Sequence, residues 1–299
     1  MNYSELLSIC IPTRNRAKYL NELLSSYAQQ FNAAGLTGEQ VAFYISDNAS
    51  DDATPEIFRA FEKKVPRAHY SRNATNLGGD GNNVHVRTLA KGEYLWVIGD
   101  DELLCENALV NVLDLIKKHR PGLIIAYNSR YPLHLAVPKV FPTYRDFAAE
   151  CVRTNIHALA EHSLISCNIF RADCWDDAYG REKIPTFFPH MFGMIRPLTQ
   201  KKAAVVLSAP PIITVREAPA PAPDGFWINL DEAWVNYFTW LRDELQLPEL
   251  NPSGPSEHAR QAMLAKLTGS PLKFFLNNWR SAFQPKAYRF VFNRIFRRR

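Results

Sequence analysis

The sequence has no apolar run long enough to cross a bilayer, no CxxC pair, no internal repeat and, after Glu257, no acidic residue. Each absence removes a class of protein. A spanning helix needs about 20 consecutive apolar residues, whereas runs such as 123–127 and 203–207 are strand-sized. Five cysteines (Cys10, Cys105, Cys151, Cys167, Cys174) are odd in number and lack ligand spacing. They argue against zinc or a disulfide framework and predict reduced, mostly buried thiols. The first residues enter an apolar strand pattern without the basic, apolar and cleavage regions of a secretory leader, so a cytoplasmic location is expected. Neither a G-x-S-x-G elbow nor a G-x-x-x-x-G-K-[ST] loop occurs, which removes the serine-hydrolase and phosphate-loop readings.

What is present is an ordinary globular composition, 46% apolar and 22% charged, in a chain of 299 residues. The net charge of +5 hides an asymmetry. Ten Lys and Arg follow Glu257, and the preceding 257 residues hold 25 basic and 30 acidic side chains. A mildly acidic body therefore carries a strongly basic tail.

The first third alternates strand and helix signals. Residues 7–11 read as a buried strand ending at Pro12, and Tyr19, Leu20, Leu23, Leu24 and Tyr27 then recur at helical spacing. Further strands are expected at 41–46, 69–71 and 94–98, with a helix starting at 55–61. This alternation predicts an α/β fold with a mainly parallel central sheet flanked by helices. In such sheets ligands sit at the carboxyl ends of the strands. Polar clusters fall at those ends, at 13–16, 47–52 and 100–102. Beyond them, 109–119 reads as an amphipathic helix and 123–127 as a strand. Strand-like runs at 163–170 and 203–207 bracket a stretch rich in Phe, His and Pro. Residues 217–224 alternate Ala and Pro as an extended loop, 226–245 regains helical character, and 251–256 is a breaker-rich linker.

Five motifs recur in order: SICIPTRN at 8–15, ISDNASDD at 45–52, NLGG at 76–79, AKGEY at 90–94 and GDDE at 99–102. In that order and spacing, residues 7–104 resemble the nucleotide-binding half of family-2 glycosyltransferases of the GT-A fold. Within that family the chain is similar to bacterial enzymes that add sugars to lipid-linked surface polysaccharides. The resemblance implies a Rossmann-like domain with its nucleotide-sugar-binding half at 1–105 and its acceptor and catalytic half at 106–250. A helical C-terminal extension follows, with the basic aromatic tail at 257–299. It also implies inverting, metal-assisted transfer of a hexosyl or deoxyhexosyl group from a nucleotide-sugar donor to a glycan hydroxyl.

Carried over residue by residue, Asp47 would read the nucleotide base, with Pro12, Thr13 and Asn15 lining the same pocket. The turn chemistry of Ser50, Asp51 and Asp52 also suits helix capping. Gly78, Gly79 and Gly81 would let the backbone approach the nucleotide, while Asn76 and Asn82 offer amide contacts. Many relatives carry an Arg where this chain has Asn83; Arg87, one turn later, could replace its charge. The family's Asp-x-Asp falls on Gly99, Asp100 and Asp101, so its first Asp is a glycine here. Asp101 becomes the expected ligand of Mg2+ or Mn2+, Asp100 lies near the ribose or a metal-bound water, and Glu102 offers a second carboxylate. Relatives supply the general base as an Asp placed six residues before an Arg. In PHMFGMIR, at 189–196, His190 takes that place. Imidazole can do the same proton transfer, and a packed histidine beside Phe187, Phe188 and Phe192 is the alternative. Glu161 and Asp231 are reserve bases, and Arg216 could reach the diphosphate.

In the tail, Phe274, Phe275, Trp279, Phe283, Tyr288, Phe290, Phe292 and Phe296 interleave with Lys273, Arg280, Lys286, Arg289, Arg294 and Arg297 to Arg299. Such a segment suits an anionic membrane surface, where a lipid-linked oligosaccharide acceptor would give it a purpose. A peripheral position at the inner face of the cell membrane is expected. The acidic body argues against nucleic acid. Two other classes stay open. A nucleotidyltransferase shares the alternating architecture, and Gly99 keeps a non-catalytic glycan-binding or assembly protein in view.

Overall fold

Alternating short apolar runs and amphipathic segments build the sheet and its helical cover. A computed structural model describes residues 3–129, 135–154, 159, 162–184, 188–214 and 226–251, without the side chains of 226–232. The first elements are β1 (Glu5–Thr13), α1 (Ala17–Ala33), β2 (Val41–Asp47), α2 (Thr54–Phe61), β3 (Ala68–Arg72), α3 (Gly78–Leu89) and β4 (Gly92–Val97). They continue as β5 (Leu103–Leu104), α4 (Ala108–His119), β6 (Leu123–Ile125), β7 (Lys139–Phe141), α5 (Tyr144–Thr154) and β8 (Asn168–Arg171). The remainder is α6 (Asp177–Glu182), α7 (Pro189–Lys201), β9 (Val205–Leu207), β10 (Ile213–Thr214) and α8 (Phe226–Leu245).

Eight strands form one sheet in the order β3-β2-β1-β4-β8-β6-β9-β7, and β5 and β10 make a separate antiparallel pair. The first four strands are all parallel, as the βα alternation requires. The chain leaves β1 toward β2 and β3, then returns to place β4 on the other side of β1. That reversal opens a crevice at the carboxyl ends of β1, β2 and β4. β8 enters next to β4 and runs antiparallel to both β4 and β6. Its leading residues therefore arrive at the carboxyl end of β4. The sheet takes strands from both sides of residue 105.

Burial explains why these segments hold. Leu7, Ile9 and Ile11 of β1 and Tyr94 and Trp96 of β4 are fully buried. On α1, the buried residues Leu20, Leu23, Leu24, Tyr27 and Phe31 follow helical spacing and turn one face to the sheet. Tyr27 meets Phe43 and Trp96 edge-to-face, with ring centroids 5.3 and 6.2 Å apart. Each such side chain contributes about 1.5–3 kcal/mol by leaving water. Gly92 permits the close β1–β4 approach, since a Cβ there would lie 2.6 Å from Ser8 Oγ and 2.7 Å from Ser8 N.

Two compact units result, one of residues 1–150 and 160–216, the other of 151–159 and 217–299. The first holds the eight-stranded sheet. In the second, α8 buries Tyr237, Phe238, Leu241 and Leu245. Among the described residues, no helix is long and apolar enough to cross a membrane. The loop at 217–224 and the tail at 257–299 lie outside the described residues.

Candidate functional site

Three strand ends converge on an acidic pair. Thr13, the last residue of β1, donates its hydroxyl to Asp100 Oδ2 at 2.7 Å. Arg16, in the loop that follows, donates to Asp100 Oδ1 at 3.0 Å and to Asp101 Oδ2 at 2.8 Å. Asp100 is buried, and that burial pushes its carboxyl above the ordinary value against the pull of Arg16 and Thr13. Burial works to lower the Arg16 guanidinium, but the two carboxylates outweigh it and hold it above its usual value. Asp101 keeps a quarter of its side chain exposed. Gly99 donates its N–H to Ser166 Oγ at 3.0 Å, and a Cβ on it would lie 3.1 Å from Asp101 Oδ1. A side chain at 99 would thus press on the Asp101 carboxylate, which would have to give by a few tenths of an ångström.

This donor set suits a hard divalent cation held by one or two carboxylates, with phosphate and water oxygens completing the shell. It does not suit a closed all-protein site. Among the described residues no group of three His, Cys, Asp or Glu is arranged to hold a metal. Glu102, also buried, stands near enough to Tyr27 to help raise that phenol, whose shift comes first from burial.

Asp47 ends β2 fully buried, with Oδ1 accepting the Ser50 N–H at 2.8 Å. Its Oδ2 accepts the Tyr70 hydroxyl and, at 3.3 Å, the Arg72 guanidinium. The parallel register sets Ile45 beside Tyr70 and Asp47 beside Arg72, so two residues on one face of β3 reach the same carboxylate. Burial and the neighbouring Asp47 push the Tyr70 phenol well above its usual value.

The glycine loop is clasped by asparagines. Asn48 Nδ2 donates to Asn76 Oδ1 at 2.7 Å and to the Gly78 carbonyl at 3.2 Å. Its Oδ1 accepts from Leu77 N at 2.8 Å and Asn73 Nδ2 at 3.2 Å. Asn82 is tied to Ser46 and Asn73. Gly78 adopts φ +75°, a left-handed backbone that favours glycine. A Cβ at Gly78 or Gly79 would meet nothing within 4 Å, so neither glycine is there to fit the protein's own packing.

Asn15, also left-handed at φ 52°, donates its N–H to Ser50 Oγ and accepts from Asp51 N through Oδ1. Asp52 accepts from the backbone of Ala17 and Thr54, at the first turns of α1 and α2. Of residues 50–52 only Asp52 bonds helix-start N–H groups. Ser50 Oγ takes the loop N–H of Asn15, and the N-cap residues of α1 and α2 are Arg16 and Ala53, neither with a side-chain cap. Pro12 sits opposite Ser46 in the β1–β2 register.

A second cluster gathers Asn83, Arg87 and His190 around a cavity of about 10 Å3, with Asn168 and Trp175 among its other lining residues. That volume holds roughly one water. Arg87 lies 3.6 Å from the Trp175 ring centroid and pairs with Asp177. Burial lowers it to about 10. Among the described residues, its Nε and Asn168 Oδ1 have no hydrogen-bond partner.

His190 stands in the first turn of α7, its Nε2 2.8 Å from the Ser163 carbonyl. A carbonyl only accepts, so Nε2 carries the proton and Nδ1 holds the basic lone pair. Burial lowers His190 to about 4, leaving it neutral at pH 7. His162, buried nearby with Nε2 3.0 Å from the Tyr144 hydroxyl, is lowered to about 3 by burial and by His190.

The predicted residues thus divide into two groups. Pro12, Thr13 and Asp47 end their strands, Asn15, Asn76 and the acids 100–102 lie in the segments that follow strands, Gly78 and Gly79 open α3, and Asn83, Arg87 and His190 line the cavity. Sequence reasoning missed Arg16, Asn48, Tyr70, Arg72 and Ser166. The i, i+2 spacing of Tyr70 and Arg72 on a strand beside Asp47 was the one available signal. Glu161, Arg216, Phe187 and the Asp231 side chain lie outside the described residues.

Residues 8–134 match the family model Glycosyl transferase family 2. The abequosyltransferase RfbV of Salmonella typhimurium is 40% identical over 107 residues, 35% of this chain and 30% of that protein. The chain therefore aligns with less than a third of the length of that relative. Among solved structures, TarS 1–349 of S. aureus in complex with UDP-GlcNAc superposes with a TM-score of 0.57 at 18% identity, over 83% of this chain and 72% of that one. The mannosyltransferase PcManGT of Pyrobaculum calidifontis, in complex with GDP-Man and Mn2+, gives 0.54 at 13% identity, over 100% and 89%. At these identities the structural likeness is one of fold.

Proposed function

Residues 8–134 match the model of glycosyl transferase family 2 on a fold like that of TarS, and from that premise we propose that the protein is a family-2 glycosyltransferase that moves a sugar from a nucleotide-sugar donor to a glycan hydroxyl, with inversion. The observation that carries the proposal is the meeting of Thr13, Asp47 and the Asp100–Asp101 pair where the order of the parallel strands reverses. Asp47 reads the base, and the clasped glycine loop offers its backbone to the nucleotide. Asp101, with Asp100 behind it, holds Mg2+ or Mn2+, which when bound neutralises charge on the departing diphosphate. His190 would take the acceptor's proton at Nδ1, because Nε2–H is committed to Ser163; burial leaves the ring neutral and, at about 4, a weak base. The basic aromatic composition of 257–299 supports a lipid-linked acceptor met at an anionic membrane surface.

The test is a thermal-shift screen of UDP, GDP, CDP and dTDP with and without Mn2+, followed by product analysis with the matching nucleotide sugars. One nucleotide should raise the melting temperature in a Mn2+-dependent way, and its sugar donor should release the nucleoside diphosphate. Asp101→Asn should lose the Mn2+ dependence of both. Pyrophosphate release from a nucleoside triphosphate would instead identify a nucleotidyltransferase. Binding of none of the four would favour the non-catalytic glycan-binding reading.

A further inference from the structure

The cation already in place at the acidic pair is Arg16. Its guanidinium donates to Asp100 at 3.0 Å and Asp101 at 2.8 Å, and 41% of its side chain remains exposed. Asp100 is buried, so its charge needs a counter-charge whenever no ligand is present. A guanidinium supplies that charge at every working pH. Those same two carboxylates are the oxygens a divalent cation would take. Guanidinium and metal therefore compete for one pair of acids. A diphosphate offers Arg16 a second partner of matching planar geometry.

We propose that Arg16 is an exchangeable counter-ion: it holds Asp100 and Asp101 in the ligand-free protein, then passes to the donor's diphosphate and yields the acids to the divalent cation. The inference rests on the nucleotide-sugar reading for the identity of its ligands. Arg16 thereby makes cation and nucleotide bind as a set. Without nucleotide the cation must displace a charge-assisted contact; with nucleotide that contact has a better place to go. By linkage, each ligand then strengthens the other by the same factor.

Removal of Arg16 should move the two affinities in opposite directions, whereas a purely structural arginine would weaken both. Mn2+ binding to the full chain is measured by electron paramagnetic resonance, alone and with the nucleoside diphosphate selected by thermal shift. In Arg16→Met, Mn2+ alone should bind about tenfold tighter, the nucleotide about tenfold weaker, and their mutual enhancement should largely vanish. Arg16→Gln should repeat the pattern, Arg16→Lys should restore part of the coupling, and near-ultraviolet circular dichroism checks that each variant is folded. Unchanged or weaker binding of Mn2+ alone in folded Arg16→Met and Arg16→Gln overturns the inference. Failure of the wild type to bind any diphosphate with Mn2+ overturns the nucleotide-sugar reading instead. The measurement with Mn2+ alone still decides whether Arg16 and the cation compete.

Discussion

Acidification from pH 7 to pH 5 should destabilise the protein through two buried histidines. In the folded state burial holds His190 at about 4 and His162 at about 3, while unfolded histidine titrates near ~6.5. Because the folded values lie below the unfolded one, the unfolded chain takes up protons first. Stability is complete above ~6.5 and falls as the pH drops toward the folded values. By pH 5 the unfolded imidazoles are almost fully charged and the folded ones almost fully neutral. Each then costs about 2 kcal/mol, roughly 4 kcal/mol for the two. That is a large share of the roughly 5–15 kcal/mol that a domain commands. Their nearest polar partners, the Tyr144 hydroxyl and the Ser163 carbonyl, carry no charge to offset the loss. Urea unfolding followed by tryptophan fluorescence at pH 7, 6 and 5 measures the effect. His190→Gln keeps a donor for the Ser163 carbonyl but cannot titrate. It should lose about 2 kcal/mol less than the wild type over the same interval. Equal losses in the two proteins would refute a buried, neutral His190.

The same His190→Gln variant should abolish sugar transfer while leaving Mn2+-dependent nucleotide binding intact, as calorimetry would show. Arg87 is buried and its partner Asp177 is 42% exposed, so the two sides of this pair are unequal. Asp177→Asn strands a buried guanidinium and should cost about 3 kcal/mol in denaturant unfolding. Arg87→Met leaves only an exposed carboxylate and should cost about 1 kcal/mol, mostly its stacking on Trp175. Gly78→Ala should cost about 1 kcal/mol because φ is positive there. Gly79→Ala should stay within about 0.5 kcal/mol of wild type in stability. A loss of nucleotide affinity in Gly79→Ala would show that the ligand is what needs the space.

The parallel half of the sheet was legible because each strand is a contiguous apolar run stopped by a polar cluster. β1 is longer than the expected 7–11, reaching Glu5, whose carboxylate is buried among Ser8 and Tyr44 and so escapes an apolar criterion. The run at 163–170 was expected as a strand. It forms a 3-10 turn at Ile165–Cys167 and then β8, whose antiparallel direction no composition encodes. β5, β7 and β10 have two or three residues each, too few for a period to show. The acids at 100–102 were legible from their place after a strand. The hold of Arg16 on Asp100 and Asp101 spans 84 and 85 residues and exists only once β4 lies beside β1. The tautomer of His190 is likewise set by a backbone carbonyl 27 residues away.

The asparagine clasp on the glycine loop has one more consequence. Asn48, Asn73, Asn76 and Asn82 carry no formal charge and do not titrate, and their contacts are short. Dissolved ions screen separated charges over a Debye length of about 8 Å at physiological salt, which leaves a clasp of this kind almost untouched. The ion pairs of Arg16 with Asp100 and Asp101 and of Arg72 with Asp47 are charges held within 3.3 Å of each other, with Asp47 and Asp100 buried. Salt therefore reaches them only through the exposed arginines, and a charged ligand is what contests them. The strand ends thus join a neutral clasp with nothing to titrate to charged contacts that only another charge can contest.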